Sequence, residues 1–116
     1  MFFNPKKYQI FFYNEFIDMR KGHSSLSQLI TNKTKFEIMD GSLFFFISKN
    51  RRTMKGLYFD GTGLTVIHKK LQAGRFMSFD SCKASFEVNQ GEFNIIFHGG
   101  HIPLSRSGER IKLQIA

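Results

Sequence analysis

The side chains able to do chemistry in this chain are few and scattered. Asp18, Asp40, Asp60 and Asp80 are carboxylates of the kind that hold paired metal ions in strand-transfer enzymes. Their surroundings point to local structure instead. Asp18 stands ahead of an apolar stripe, as a helix N-cap does. Asp40 and Asp60 each precede a glycine, a turn signature. His98-Gly99-Gly100-His101 brings two imidazoles together without a third ligand at zinc-site spacing, and a helix end explains both its glycines and its histidines. Cys82 lacks a paired histidine signature and reads as an inert thiol. Asp60-Gly61-Thr62-Gly63 lacks the Lys-Ser/Thr that follows a phosphate-binding loop, so it reads as a hairpin turn. No catalytic residue, metal ligand, cofactor or small-molecule substrate is therefore expected. A small nuclease acting through Asp18 or Asp60 is the least supported of the functions weighed.

Charge is the stronger signal. Seventeen Lys and Arg oppose nine Asp and Glu, a net charge of +8. Between positions 49 and 75 lie Lys49, Arg51, Arg52, Lys55, Lys69, Lys70 and Arg75, with Asp60 the single acid, so seven bases against one give +6 of that total. Such a surplus suits polyanions, meaning nucleic acid or an acidic protein surface. It also suits a solvated basic turn that keeps sheet edges from pairing between molecules.

These residues need elements to position them. A chain of 116 residues makes one domain, 1–116. With 41% hydrophobic and 16% aromatic residues, 15 of them Phe, it is too apolar for a disordered chain. One cysteine excludes an internal disulfide and fits a reducing cytoplasm. No apolar run approaches the roughly 18 residues of a membrane span, and the N-terminus lacks the order of a signal peptide. Tyr8 to Tyr13 reads as a first strand. An amphipathic helix is expected over about 18–31, capped by Asp18, with Met19, His23, Leu26 and Ile30 on its apolar stripe and Gly22 in its interior.

A three-stranded antiparallel meander is expected over about 43–70. Its strands are Leu43 to Ser48, Met54 to Phe59 and Leu64 to Lys70, and the first is covered on both faces. If the Asp60–Gly63 turn sets the register, Phe59 faces Leu64, Lys55 faces His68 and Thr53 faces Lys70. Lys49, Arg51, Arg52, Lys69 and Lys70 then gather at one end of the sheet. Phe44, Phe45, Phe46 and Phe59 read as core, while Tyr58 is a weaker case because its hydroxyl could face outward. Arg75 to Phe79 and Ala84 to Val88 suggest short extended pieces. Asn89 followed by Glu92 resembles a capping box opening a short C-terminal helix that ends at Gly99-Gly100. The alternation of Ile111, Leu113 and Ile115 suggests a last strand. The fold class is α+β, an antiparallel sheet packed against these two helices.

Two blocks carry a family resemblance. The first is Asp18-Met19-Arg20-Lys21-Gly22. The second runs through Leu43-Phe44-Phe45-Phe46, Asn50-Arg51-Arg52, Lys55-Gly56-Leu57-Tyr58-Phe59-Asp60-Gly61-Thr62-Gly63-Leu64 and Lys69-Lys70-Leu71-Gln72-Ala73-Gly74-Arg75-Phe76. Together they resemble the accessory protein of insertion-sequence sixty-six type elements, over residues 8 to 79. Met77-Ser78-Phe79 stands where that family usually places Trp-Pro, and the last third matches more loosely. The resemblance implies a non-enzymatic bacterial protein encoded beside a larger transposase and needed with it for transposition. Two roles follow. In the first, the basic sheet end contacts DNA phosphates through Arg51, Arg52, Lys69 and Lys70, with Lys49, Lys55 and Arg75 flanking and Arg20 and Lys21 available. In the second, the protein is an adaptor that binds the transposase without touching DNA.

Overall fold

A computed structural model describes residues 9–35, 41–106 and 108–109. In chain order the elements are β1 (Gln9–Ile17), α1 (His23–Lys33), β2 (Ser42–Ser48), β3 (Thr53–Phe59), β4 (Leu64–Lys70), β5 (Phe86–Val88) and α2 (Gln90–Phe97). The strands form one five-stranded sheet in the order β4-β3-β2-β1-β5. The meander β2–β3–β4 is antiparallel, and Phe59 faces Leu64, Lys55 faces His68 and Thr53 faces Lys70. The short turns and the Asp60–Gly63 connection dictate that register.

The expected all-antiparallel sheet is corrected at one point: β1 runs parallel to β2, so the sheet is mixed. A strand–helix–strand connection crosses over the sheet and lays its second strand parallel to the first. Between the Phe12–Phe45 and Phe16–Ile47 pairs, Tyr13, Asn14 and Glu15 stand against Phe46 alone, which makes an irregularity in β1.

The first helix also differs from expectation. It starts at His23 instead of Asp18, and Gly22 is its N-cap, with no side-chain cap bond. Asp18 competes successfully for other donors: its carboxylate takes the backbone N–H and the guanidinium of Arg20, closing a turn ahead of the helix. A Cβ at Gly22 would meet nothing within 4 Å, so close packing does not explain this glycine. The C-terminal helix follows the sequence closely. Asn89 accepts from the Glu92 N–H at 2.8 Å, and Glu92 accepts from the Asn89 N–H at 3.0 Å.

Each face of the sheet carries its own core. Leu26 and Ile30 of α1 pack with Phe11, Phe44, Phe46 and Leu57 on one face. On the other, Phe93 and Ile96 of α2 join Phe12, Phe45, Met54, Phe76 and Phe79. All seven residues of β2 are buried, as expected for a strand covered on both sides. Phe12 stacks on Phe79 at 4.7 Å and Phe45 meets Phe93 at 5.0 Å between ring centroids. Tyr58 is buried on the α2 side, so it joins the core, and Phe59 is half-buried. Residues 75–79 form no strand; Phe76, Met77 and Phe79 serve the core as an irregular segment. The alternating stretch Ile111 to Ile115 lies outside the described residues.

Candidate functional site

The parallel pairing of β1 with β2 decides what meets at the end of the sheet. Ile17 pairs with Ser48, so the loop after β1 (residues 18–22) emerges beside the β2–β3 turn (49–52). Thr53 pairs with Lys70, which brings in the loop after β4 (71–75). Two backbone bonds fasten the last pair: Leu71 N–H donates to Arg52 O at 2.9 Å, and Phe76 N–H donates to Arg51 O at 2.7 Å.

This rim carries Arg20 and Lys21 from the first loop, Lys49, Arg51 and Arg52 from the turn, and Lys70 and Arg75 from the third segment. Against these seven bases its loops hold one acid, Asp18, a net of +6. Asp60, the acid within the meander, sits in the turn at the opposite end.

Arg51 adopts the left-handed conformation, with φ of 61°. That backbone costs a non-glycine residue about 1–2 kcal/mol. It holds because both backbone groups are engaged, the N–H by Ser48 O at 2.9 Å and the carbonyl by Phe76. Asn50 braces the same turn, accepting from the Arg52 N–H and the Ser48 hydroxyl. The arginines thus project from a rigid frame.

Not every base on the rim has its charge available. The guanidinium of Arg20 lies 2.6 Å from Asp18, in the single ion pair among the described residues. That contact holds the Asp18 carboxyl at about 2, well below its ordinary value. Lys55, read from the sequence as a flanking contact, is buried on the α1 side of β3. Its ammonium donates to Met19 O at 2.6 Å and Lys21 O at 2.8 Å, clamping the 18–22 loop against the sheet. Lys69 lies on the α2 side. It donates to Phe97 O at 2.7 Å, stands 3.9 Å above the Phe97 ring and reaches 3.4 Å from His98 Nδ1. It thereby satisfies a carbonyl at the negative end of α2, and burial lowers its pKa. Lys49, Arg52, Lys70 and Arg75 are exposed, while Lys21 and Arg51 are half-exposed. None of these six forms an ion pair among the described residues.

The acids weighed for catalysis have local partners. Asp60 accepts from the N–H groups of Thr62 and Gly63 and from the hydroxyls of Thr62 and Thr65, which lowers its carboxyl to about 2. Asp80 accepts from the Ser78 hydroxyl. Asp40 lies outside the described residues. Cys82 is buried, its thiol pushed up by that burial, and it contacts Gly108 O at 3.3 Å. Among the described residues, no three His, Cys, Asp or Glu side chains come together as a metal-binding group, and no helix is long and apolar enough to cross a membrane.

The sequence offers Arg20 and Lys21 as available cations, and the strand–helix–strand order is the signal that carries them to the rim.

An uncharacterized protein of Sinorhizobium fredii, y4hO, is 35% identical over 82 residues, covering 71% of this chain and 71% of that protein. A second from the same organism, y4jC, is 24% identical over 83 residues, covering 72% and 71%. No solved structure matches this chain significantly. The model of the IS66 Orf2 like proteins matches residues 8–108, which takes in both motif blocks, the whole rim and both helices, and the chain therefore belongs to this insertion-sequence family.

Proposed function

We propose that this protein is a non-enzymatic accessory factor for DNA transposition, holding DNA by its phosphates at the basic rim of the sheet. One observation carries the reading: three separate chain segments deliver cations to the same end of one sheet, without ion-pair partners for six of the seven among the described residues. Like charges gathered this way repel by a few tenths of a kcal/mol per pair. The same cluster becomes favourable beside phosphates, where bound counterions are released.

Arg51, Arg52, Lys49, Lys70 and Arg75 make the contacts, with Lys21 beside them. Lys55 and Lys69 act as internal anchors, since their ammonium groups already serve backbone carbonyls. The α1 N-terminus at Gly22 follows directly from the rim loop, but the sequence carries no recognition-helix or zinc-finger pattern, so the contacts are to the backbone and indifferent to base sequence. The element's transposase is the natural protein partner, given the family.

Filter binding of duplex DNA across a salt series tests the proposal. Binding should weaken steeply with salt and be lost on replacing Arg51 and Arg52 together by Glu. Absence of binding at low salt, or binding unchanged in that variant, refutes it. If the protein binds no DNA yet copurifies with the transposase from nuclease-treated lysate, the adaptor role replaces it.

A further inference from the structure

A cleft of about 700 Å³ opens on the flank of the molecule, where the irregular part of β1, the end of α1 and the segment before β5 meet. Its walls include Asn14, Asn32, Lys33, Lys35, Lys83 and Ser85. Three lysines from two distant chain segments converge there, all exposed and none in an ion pair among the described residues. The acid alongside, Glu15, already accepts the Tyr13 hydroxyl at 2.8 Å. The Ser85 hydroxyl is buried and meets no hydrogen-bond partner among the described residues.

We infer that this cleft is a second phosphate-contact site, which receives the DNA backbone after it leaves the rim. The inference rests on the DNA reading above and extends its footprint. Lys33 taken alone has another explanation, since a cation in the last turn of α1 offsets the negative helix end. That explanation does not reach Lys35 or Lys83, which lie outside the helix.

One hollow adjoins both rim and cleft, with the carboxylates of Asp18 and Glu15 beside its lysines. This smaller depression is lined by both Lys21 of the rim loop and Lys33 of the cleft, and Tyr13 and Glu15 border both hollows. Asn14 fixes the far wall by donating to Cys82 O at 3.0 Å, and Thr34 closes α1 by donating twice to Ile30 O. Beside the Glu15 carboxylate and the Ala84 methyl, the walls are amides, hydroxyls and three ammonium groups, and their one aromatic residue, Tyr13, is itself buried. Such a surface suits a phosphodiester and offers no platform for stacking a base.

The decisive measurement is the slope of log affinity against log salt concentration for duplex DNA long enough to pass both sites. Each phosphate contact contributes about 0.9 to that slope. The triple variant Lys33→Gln, Lys35→Gln, Lys83→Gln should lose about 2 to 3 from it, while its melting temperature stays near wild type because all three side chains are exposed. Arg51→Gln with Arg52→Gln should lose about 1.8 independently, and the two losses should add. A wild-type slope in the triple variant overturns the cleft assignment and leaves the rim standing. Failure of the wild-type protein to bind DNA overturns both. A triple variant that keeps its slope but no longer captures the transposase marks the cleft as a protein-docking site and overturns it as a DNA site.

Discussion

Replacing Lys55 by Met separates two roles for the lysines of the meander. Methionine keeps the aliphatic stem against the α1-side core and removes the ammonium that donates to Met19 O and Lys21 O at 2.6 and 2.8 Å. Hydrogen bonds from a charged donor contribute about 1.5–3 kcal/mol each. Met19 and Lys21 are half-buried, so water recovers part of what their carbonyls lose. Easing the repulsion from the rim cations returns a few tenths of a kcal/mol. The expected cost is then about 2–4 kcal/mol, a large share of the roughly 5–15 kcal/mol that holds such a domain together. At this chain length that lowers the melting temperature by about 8–15 °C. Urea denaturation followed by far-ultraviolet circular dichroism reads the change, with Lys70→Met, an exposed rim position, as a control expected within 0.5 kcal/mol. A Lys55→Met loss under 0.5 kcal/mol, together with a salt slope for DNA reduced by about 1, would refute the clamp and restore Lys55 as a phosphate contact.

Other perturbations follow from the same geometry. Gly56→Ala would push a methyl to 2.5 Å from the fully buried Phe45 ring, so unfolding experiments should show a loss of about 2–3 kcal/mol. Gly22→Ser should leave stability level or raise it by a few tenths of a kcal/mol, because it adds a cap to α1 in open space; a loss above 1 kcal/mol would mean the glycine is needed for packing after all. Arg51→Gly should relieve the left-handed backbone and come out neutral to about 1 kcal/mol more stable, yet bind DNA more weakly; a destabilised protein contradicts the strain assigned to the turn. The Asp60 carboxyl is held at about 2 in the folded state against 3.8 ordinarily, so its contribution to stability is complete above pH 4 and is lost as pH falls toward 2. Acid titration of Asp60→Asn should show a shallower loss over that window than wild type, the variant's remaining loss coming in part from Asp18.

The meander was legible because its information is local. Short connections leave an antiparallel partner as the only choice, and the Asp60–Gly63 turn places Thr53 opposite Lys70. The same holds for α2, whose capping box lies within four residues. What escaped was non-local or depended on competition between nearby groups. The β1–β2 pairing is set by a crossover through α1, and nothing inside either apolar strand names its neighbour. Asp18 has the chemistry of an N-cap, but the Arg20 guanidinium two residues on outcompetes the helix for it. Charge counting treats all lysines as solvated, and so it misplaced Lys55 and Lys69. Period-two alternation gives the hint that was available: Lys55 shares its sheet face with Leu57 and pairs with the buried Phe46, so its ammonium has to find partners within the protein.

The interior position of β1 carries a cost during biosynthesis. This strand is made before both of its neighbours, with Ile10, Phe11, Phe12 and Tyr13 bare, while the strands that flank it begin only at Ser42 and Phe86. At bacterial elongation rates the second flanking strand trails the first residues of β1 by roughly 4–15 s. The hairpins of the meander can close meanwhile and offer β2 as one edge, but the other edge of this oily strand stays unpaired until β5 is made. Yield in the cell should therefore respond to the supply of holding chaperones more strongly than equilibrium stability alone would suggest.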